Sequence, residues 1–173
     1  YIVSTGFHGL SRLGLALLTS EKLPSEAPVS HELINRAINA HKRPYPALEA
    51  LKALIACKPQ STSWRAAGTD SSDGLIESIR GICQASNCQA VLSKTSILKH
   101  PDWPEDDIWD EWILNGGEDY ELILSLPEDW AKSLSNKLKS AKIIGFIKEG
   151  KPNIFWDNLE QTKIDQSSLF KHF

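Results

Sequence analysis

The sequence contains no methionine, and its three cysteines, Cys57, Cys83 and Cys88, form no C-x-x-C motif. An odd number of cysteines at these spacings indicates neither a disulfide framework nor a zinc site, so we expect a reducing, cytoplasmic setting. No uninterrupted apolar run approaches the ~18 residues that cross a bilayer, and we expect no membrane partner. Because the chain opens on a strand-like segment without methionine, we expect it to be a piece of a longer protein.

The sequence also lacks an excess of positive charge. It has 19 Lys and Arg residues against 22 Asp and Glu residues, and no segment gathers five or more basic residues. A nucleic-acid partner is therefore not expected, and a negatively charged substrate would need another counter-ion. With 41% hydrophobic residues, a chain of this length can form one globular domain without disulfides or a structural metal.

The spacing of apolar side chains predicts both helices and strands. The predicted helices cover 11–19, 31–42 with Ser30 as N-cap, 46–57, a segment after Gly74, a short segment around 108–112, and 127–138. The predicted strands cover 62–69, 89–93, 120–125, 143–147 and 153–156, and the last two flank Glu149-Gly150-Lys151, which indicates a hairpin. Helices and strands do not alternate regularly, so the expected fold class is α+β, with a mixed β-sheet and helices packed on it.

The first candidate site is the turn Asp70-Ser71-Ser72-Asp73-Gly74, between a predicted strand and a predicted helix. Two carboxylates ~5 Å apart repel by roughly 3 kcal/mol at an effective dielectric constant near 20, and a hard divalent cation such as Mg²⁺ removes that cost. The amides at the start of the helix, with the Ser72 hydroxyl, could also bind phosphate oxygens. The alternative is that Asp and Ser cap the helix, since they are the commonest capping residues.

The second candidate site is Gly116-Gly117-Glu118-Asp119-Tyr120-Glu121-Leu122, which brings acidic side chains to the mouth of a predicted strand. Because side chains alternate along a strand, Asp119 and Glu121 are predicted on one side and Tyr120 on the other, so one acid at the strand mouth can point inward. The two glycines allow a positive φ angle or a close approach of a ligand to the backbone. The alternative is a turn whose acids are solvated.

No side chain is assigned a catalytic role. The histidines, His8, His31, His41, His100 and His172, have no metal-ligand spacing and no paired Ser or Cys nucleophile. The glycines near the start of the chain fit neither the dinucleotide-binding nor the P-loop pattern. The two acidic turns are therefore the candidate sites.

Taken together, Gly-Thr-Asp-Ser-Ser-Asp-Gly-Leu at 68–75 and Gly-Gly-Glu-Asp-Tyr-Glu-Leu at 116–122 resemble the thiamine-monophosphate kinases, a family of the aminoimidazole-ribonucleotide-synthetase-like superfamily. The first string has a form that several superfamily members share, whereas the second is distinctive of these kinases. Supporting matches are residues 3–18, Arg43-Pro44-Tyr45-Pro46, Ile144-Gly145 and Phe170-Lys171-His172-Phe173. The resemblance covers nearly the whole chain.

The resemblance implies that residues 1–173 are a single C-terminal substrate and nucleotide domain, and that the family's N-terminal domain is absent. It also implies the α/β/α layers of the C-terminal domain of aminoimidazole ribonucleotide synthetase. The implied reaction is phosphoryl transfer from ATP to thiamine monophosphate with Mg²⁺, which gives thiamine diphosphate and ADP. The implied assembly is a homodimer through the N-terminal domain, and we expect the domain alone to be inactive.

The same resemblance assigns roles to residues of both turns. It implies that Asp70 and Asp73 are metal ligands and that Ser72 contacts the ATP phosphates. It implies that the substrate, thiamine monophosphate, is contacted by Glu118, Asp119 and Phe170.

Two other interpretations stay open. Another ATP-dependent synthetase of the same superfamily would share the Asp70 turn, although the string at 116–122 argues against it. A non-catalytic domain that binds thiamine phosphates would keep both turns without turnover, and it would bind its ligand without releasing ADP.

Overall fold

The computed structural model describes residues 1–158 and 162–164 of the chain. The helices in this part are α1 (Leu10–Leu18), α2 (His31–Lys42), α3 (Leu48–Ala56), α4 (Leu75–Ser86), α5 (Asp107–Asn115) and α6 (Glu128–Lys137). The strands are β1 (Ile2–Ser4), β2 (Ala67–Asp70), β3 (Cys88–Leu92), β4 (Leu122–Ser125), β5 (Lys142–Glu149) and β6 (Asn153–Trp156). Each predicted helix and strand has a counterpart, and the expected α+β composition is confirmed.

The strand predicted over 62–69 is displaced and begins only at Ala67. The preceding residues form a turn, in which the Thr62 N–H donates to the Pro59 carbonyl at 3.1 Å. The Lys58 ammonium donates to the carbonyl oxygens of Pro59 and Thr62. Residues 58–62 therefore belong to a turn that precedes β2.

The strands form one mixed sheet in the order β2-β4-β1-β5-β3-β6. Neighbouring strands are antiparallel except β3 and β6, which run parallel. The predicted hairpin is wrong, because β5 pairs with β1 and β3 while β6 pairs with the other edge of β3. Both edges of β5 are already hydrogen-bonded, so the turn at Glu149-Gly150-Lys151 leads the chain past β3 to its open edge.

Two layers of helices enclose this sheet. Helices α1, α2, α4 and α5 contribute to one apolar cluster together with Ile123 of β4. Helices α3 and α6 contribute Leu54 and Trp130 to a second cluster together with Leu124 of the same strand. Consecutive side chains of a strand point to opposite faces, so the sheet separates the two clusters, and the expected α/β/α layering is confirmed.

Helix α2 begins where its cap was predicted. The Ser30 hydroxyl accepts a hydrogen bond of 3.1 Å from the Leu33 N–H, which satisfies one amide of the first turn. Leu33 and Ala37 are fully buried in the apolar cluster that α2 shares with α1. The spacing and the cap were thus sufficient to locate this helix.

Helix α3 buries only part of its apolar surface, through Ala50 and Leu54. Large apolar side chains around this helix are 45 to 69% exposed, namely Tyr45, Leu48, Leu51, Ile55 and Trp64. Trp64 lies edge-on against Trp130, whose indole N–H donates to the Leu54 carbonyl, so Trp64 lies beside α3. We call these five side chains the α3 apolar face.

The cysteines Cys57, Cys83 and Cys88 are all unpaired. Among the described helices, none combines the length and the hydropathy that crossing a membrane requires.

Candidate active site

The first acidic turn lies at the open edge of the sheet, where β2 ends and α4 begins. Gly74 occupies the N-cap position of α4 with φ +97°. A Cβ at this position would lie 3.1 Å from the carbonyl oxygens of both Asn115 and Gly116, so the conformation and the close approach both require glycine. The alternative in which an Asp or Ser occupies the N-cap position is therefore wrong.

Asp70 and Asp73 are both exposed and line a groove of about 390 Å³ between β2 and α4. Thr69, Glu77 and Ser78 also line this groove. The Ser72 hydroxyl donates to Asp70 Oδ1 at 3.0 Å, so the predicted phosphate contact and one predicted metal ligand are neighbours. The groove thus combines oxygen donors with the N-terminal end of a helix.

The second acidic turn is bonded directly to the first. The Glu118 N–H donates to the Ser72 carbonyl at 2.8 Å, and the Glu121 N–H donates to Ser71 Oγ at 3.0 Å. Strands β2 and β4 continue this contact, with Asp70 opposite Leu122 in the register. The bonded residues of the two motifs are 46 and 50 positions apart in the sequence, and the motifs therefore converge at one end of two neighbouring strands.

The backbone of the second turn takes a positive φ angle at two residues for which the sequence did not predict one. Glu118 has φ +66° and Tyr120 has φ +54°, whereas Gly116 has φ −67°. Neither Gly116 nor Gly117 takes a positive φ angle, so of the two uses predicted for these glycines only the close approach of a ligand to the backbone stays a prediction. A left-handed conformation costs a non-glycine residue on the order of 1 kcal/mol or more, and such residues are typical of functional sites.

Asp119 turns inward and holds the start of α1. Its Oδ2 accepts the Gly9 N–H at 2.7 Å and its Oδ1 accepts the Ser11 N–H at 2.9 Å. Burial raises the pKa of Asp119 to about 7, and the nearby Glu121 adds to this, although the amide hydrogen bonds act in the opposite direction. The prediction that one acid of the strand mouth points inward is confirmed, whereas a substrate contact by Asp119 stays a prediction.

Glu121 is the second inward acid. Its Oε2 accepts the Thr5 hydroxyl at 2.6 Å, and the Leu122 N–H donates to the same hydroxyl at 2.8 Å. Burial raises the pKa of Glu121, against the effect of the Thr5 hydrogen bond. Asp119 and Glu121 both lie on the buried side of the turn, which agrees with the predicted alternation.

Glu118 remains accessible, with 36% of its side chain exposed, and it lies beside a histidine. His41 Nδ1, in the last turn of α2, is 3.6 Å from Glu118 Oε2 and 3.0 Å from Ser11 Oγ. Sequence reasoning gave His41 no role, because these three residues are far apart along the chain and form no motif. The site therefore contains two residues, Ser11 and His41, that only the fold brings to it.

In the part of the chain that the structure describes, the candidate metal site has only two carboxylates, those of Asp70 and Asp73. No group of three or more His, Cys, Asp and Glu side chains suited to a metal ion occurs within 1–158 and 162–164. The two carboxylates of Asp70 and Asp73 nevertheless fit Mg²⁺, which is usually held by one or two carboxylates together with water and phosphate oxygens. The predicted substrate contact Phe170 lies outside the described residues.

Comparisons with known proteins relate the chain to one family. It is 44% identical over 173 residues to the thiamine-monophosphate kinase of Prochlorococcus marinus, a match that covers 100% of this chain and 52% of that protein. It is 39% identical over 177 residues to the thiamine-monophosphate kinase of Synechococcus elongatus, which covers 100% of this chain and 51% of that protein. The chain thus spans about half the length of the curated relatives it matches.

A solved structure described as AaThiL complexed with AMPPCP and TMP has the same fold. Its TM-score with this chain is 0.73 at 24% identity, and the match covers 99% of this chain and 50% of that one. No family model matches the sequence.

The mixed sheet between two helix layers has the fold of the aminoimidazole-ribonucleotide-synthetase-like class. Within that class the chain is a relative of the thiamine-monophosphate kinases over its whole length. The resemblance predicted from the two motifs is thereby confirmed.

Proposed function

We propose that this chain is the substrate and nucleotide domain of an enzyme that phosphorylates thiamine monophosphate. The γ-phosphoryl group of ATP passes to a phosphate oxygen of thiamine monophosphate, which gives thiamine diphosphate and ADP. The observation that carries the proposal is the direct bonding of the two acidic turns, through the Glu118 and Glu121 amides, at one end of β2 and β4. The names of the relatives, and the complex of AaThiL with AMPPCP and TMP, support the same reaction.

In this proposal Asp70 and Asp73 hold Mg²⁺ and Ser72 contacts the phosphates of ATP. Mg²⁺ would neutralise charge on the transferring phosphoryl group. The two Asp side chains are exposed in one groove, and the Ser72 hydroxyl is 3.0 Å from one of them. The α4 amides add a positive end of a helix dipole to a groove whose described lining residues include no Lys or Arg.

We assign the binding of thiamine monophosphate to residues of the second turn. Glu118 is half-buried and accessible, so its carboxylate can bind a donor or a cationic group of the substrate directly. Asp119 is partly buried and hydrogen-bonded to the start of α1, and this geometry favours a role in holding the turn. Phe170 stays a proposed contact that packs on the thiamine portion.

We further propose that the chain is the C-terminal half of a longer kinase that acts as a cytoplasmic homodimer through its N-terminal half. The relatives are about twice as long as this chain, and the α3 apolar face offers a surface for a further domain to cover. The unpaired cysteines fit a reducing compartment.

The test is an assay of thiamine diphosphate formation by the full-length protein with ATP and Mg²⁺. We expect Asp73→Asn to lower kcat/KM at least ~100-fold, because the metal loses a charged ligand. We expect Glu118→Gln to raise KM for thiamine monophosphate roughly 10-fold or more, because a charged hydrogen-bond acceptor is lost. Asp129→Asn, an exposed acid in the first turn of α6, is the control and should leave both constants unchanged.

Full activity in both the Asp73 and Glu118 variants would reject the site assignment. Calorimetric binding of thiamine monophosphate by the wild type without ADP release would instead support the non-catalytic binding domain.

A further inference from the structure

Three polar side chains from three separate elements meet beside the second acidic turn. Ser11 lies in the first turn of α1, His41 lies in the last turn of α2, and Glu118 lies in the loop before β4. His41 Nδ1 is 3.0 Å from Ser11 Oγ and 3.6 Å from Glu118 Oε2. The proposed function uses Glu118 only.

The fold fixes this meeting from two directions. Gly14 lets α1 and α2 approach closely, since a Cβ on Gly14 would lie 2.2 Å from the Ala37 carbonyl oxygen and 2.8 Å from His41 Cβ. Asp119, the neighbour of Glu118, accepts the Ser11 N–H at 2.9 Å. Both partners of His41 are therefore anchored to the same loop.

The cluster contains a serine, a histidine and a glutamate, but its geometry excludes a nucleophilic triad. In a triad the serine and the acid address different nitrogens of the imidazole ring. Here Ser11 Oγ and Glu118 Oε2 both approach Nδ1. The contacts therefore serve to hold side chains in place.

The two contacts of the His41 ring differ in kind. Ser11 Oγ lies within hydrogen-bond distance of Nδ1, whereas Glu118 Oε2, at 3.6 Å from the same nitrogen, lies beyond that distance but beside the ring. The Glu118 carboxylate thus has the imidazole on one side, while 36% of its side chain stays exposed on the other.

We propose that His41 is a positioning residue for thiamine monophosphate binding. Together with Ser11, it holds the Glu118 carboxylate in the orientation that meets a donor or cationic group of the substrate. This inference rests on the proposed function, because it assigns His41 to the substrate side of that same site. His41 itself touches neither the substrate nor the reacting phosphates.

The experiment measures steady-state kinetics of the full-length protein with two His41 variants. We expect His41→Ala to raise KM for thiamine monophosphate about 5- to 10-fold and to leave KM for ATP within twofold of the wild type. His41→Gln keeps an N–H donor that can reach the carboxylate, so it should recover most of the loss. The matched control is His31→Ala at the exposed opposite end of α2, which should change neither constant.

A double variant separates positioning from a general structural role. If His41 acts through Glu118, His41→Ala should add little to the increase in KM that Glu118→Gln causes alone. Thermal melts of every variant check folding. A wild-type KM in His41→Ala, an equal rise in KM for ATP, or full additivity with Glu118→Gln would each overturn the inference. A wild type that forms no thiamine diphosphate would overturn the proposed function itself.

Discussion

Glu118 and Asp119 are neighbours in the chain, but their carboxylates stand in different surroundings. Glu118 is accessible beside His41, whereas the Asp119 carboxylate is partly buried and accepts two amides at the start of α1. Because the backbone of Glu118 is left-handed, the side chains of Glu118 and Asp119 point in different directions. One acid can therefore meet a ligand while the next one fixes the loop that carries it.

The buried carboxylate makes a prediction about pH. The pKa of Asp119 is raised from 3.8 to about 7 in the folded chain, so between about pH 4 and pH 7 the folded chain keeps a proton that the unfolded chain loses. Stability from this group is present at low pH and is lost as the pH rises through that window, by up to about 4 kcal/mol. We expect the free energy of unfolding of the wild type to fall relative to Asp119→Asn from pH 4 to pH 7.

Denaturant unfolding of both proteins across this pH range measures the difference. Glu121 is present in both, so its own titration largely cancels. A difference that stays constant, or that moves in favour of the wild type as the pH rises, would show that Asp119 is ionised throughout.

The contact between α1 and α2 depends on a glycine inside a helix. Alanine favours a helix by about 1 kcal/mol over glycine, but a Cβ at Gly14 would lie 2.2 Å from a backbone oxygen of α2. We expect Gly14→Ala to lower the free energy of unfolding by roughly 1–3 kcal/mol, since neither backbone can move freely.

Gly81 of α4 provides the matched control for Gly14. Nothing lies within 4 Å of a Cβ at Gly81, so Gly81→Ala should raise the free energy of unfolding by up to about 1 kcal/mol. Unfolding of the three proteins in urea measures both effects. A stabilising Gly14→Ala would contradict the close helix contact.

The sequence located most elements because their signals are local. Ser30 and the buried spacing of α2 required only neighbouring residues. The pairing of β6 was missed, because a short turn after β5 indicates a hairpin unless both edges of β5 are known to be occupied. Strand order depends on contacts between distant segments, which periodicity does not carry.

The sequence likewise predicted one part of the candidate site and missed another. The two acidic turns could be recognised as strings, and their convergence follows from the pairing of β2 with β4. His41 and Ser11 could not be recognised, because their contact depends on the packing of α1 on α2. The only local signal was Gly14, a residue that weakens a helix unless a neighbour needs the space.

At the scale of the whole molecule, the α3 apolar face is the largest group of exposed apolar side chains on a single element and its flanks in the described residues. Side chains such as Leu51 and Ile55 each stabilise a protein by about 1.5–3 kcal/mol when they become buried. We expect Ile55→Lys to lower the Tm of the full-length protein by roughly 2–6 °C, because the proposed second half covers this face.

Ile108→Lys is the control for Ile55→Lys. Ile108 lies on α5 and is 55% exposed, the same fraction as Ile55, and its substitution should change the Tm of the full-length protein by no more than about 1 °C. In the 173-residue chain alone, both substitutions should be neutral. If Ile55→Lys instead changes the oligomeric state of that chain in light scattering, a second copy covers the face.

The most direct measurement is a crystal structure of the full-length protein with Mn²⁺, a non-hydrolysable ATP analogue and thiamine monophosphate. We expect the anomalous signal of Mn²⁺ within about 2.3 Å of carboxylate oxygens of Asp70 and Asp73. We also expect thiamine monophosphate within about 3.2 Å of Glu118. Mn²⁺ held only by other residues, or thiamine monophosphate bound away from the 116–122 turn, would contradict a shared site at the two acidic turns.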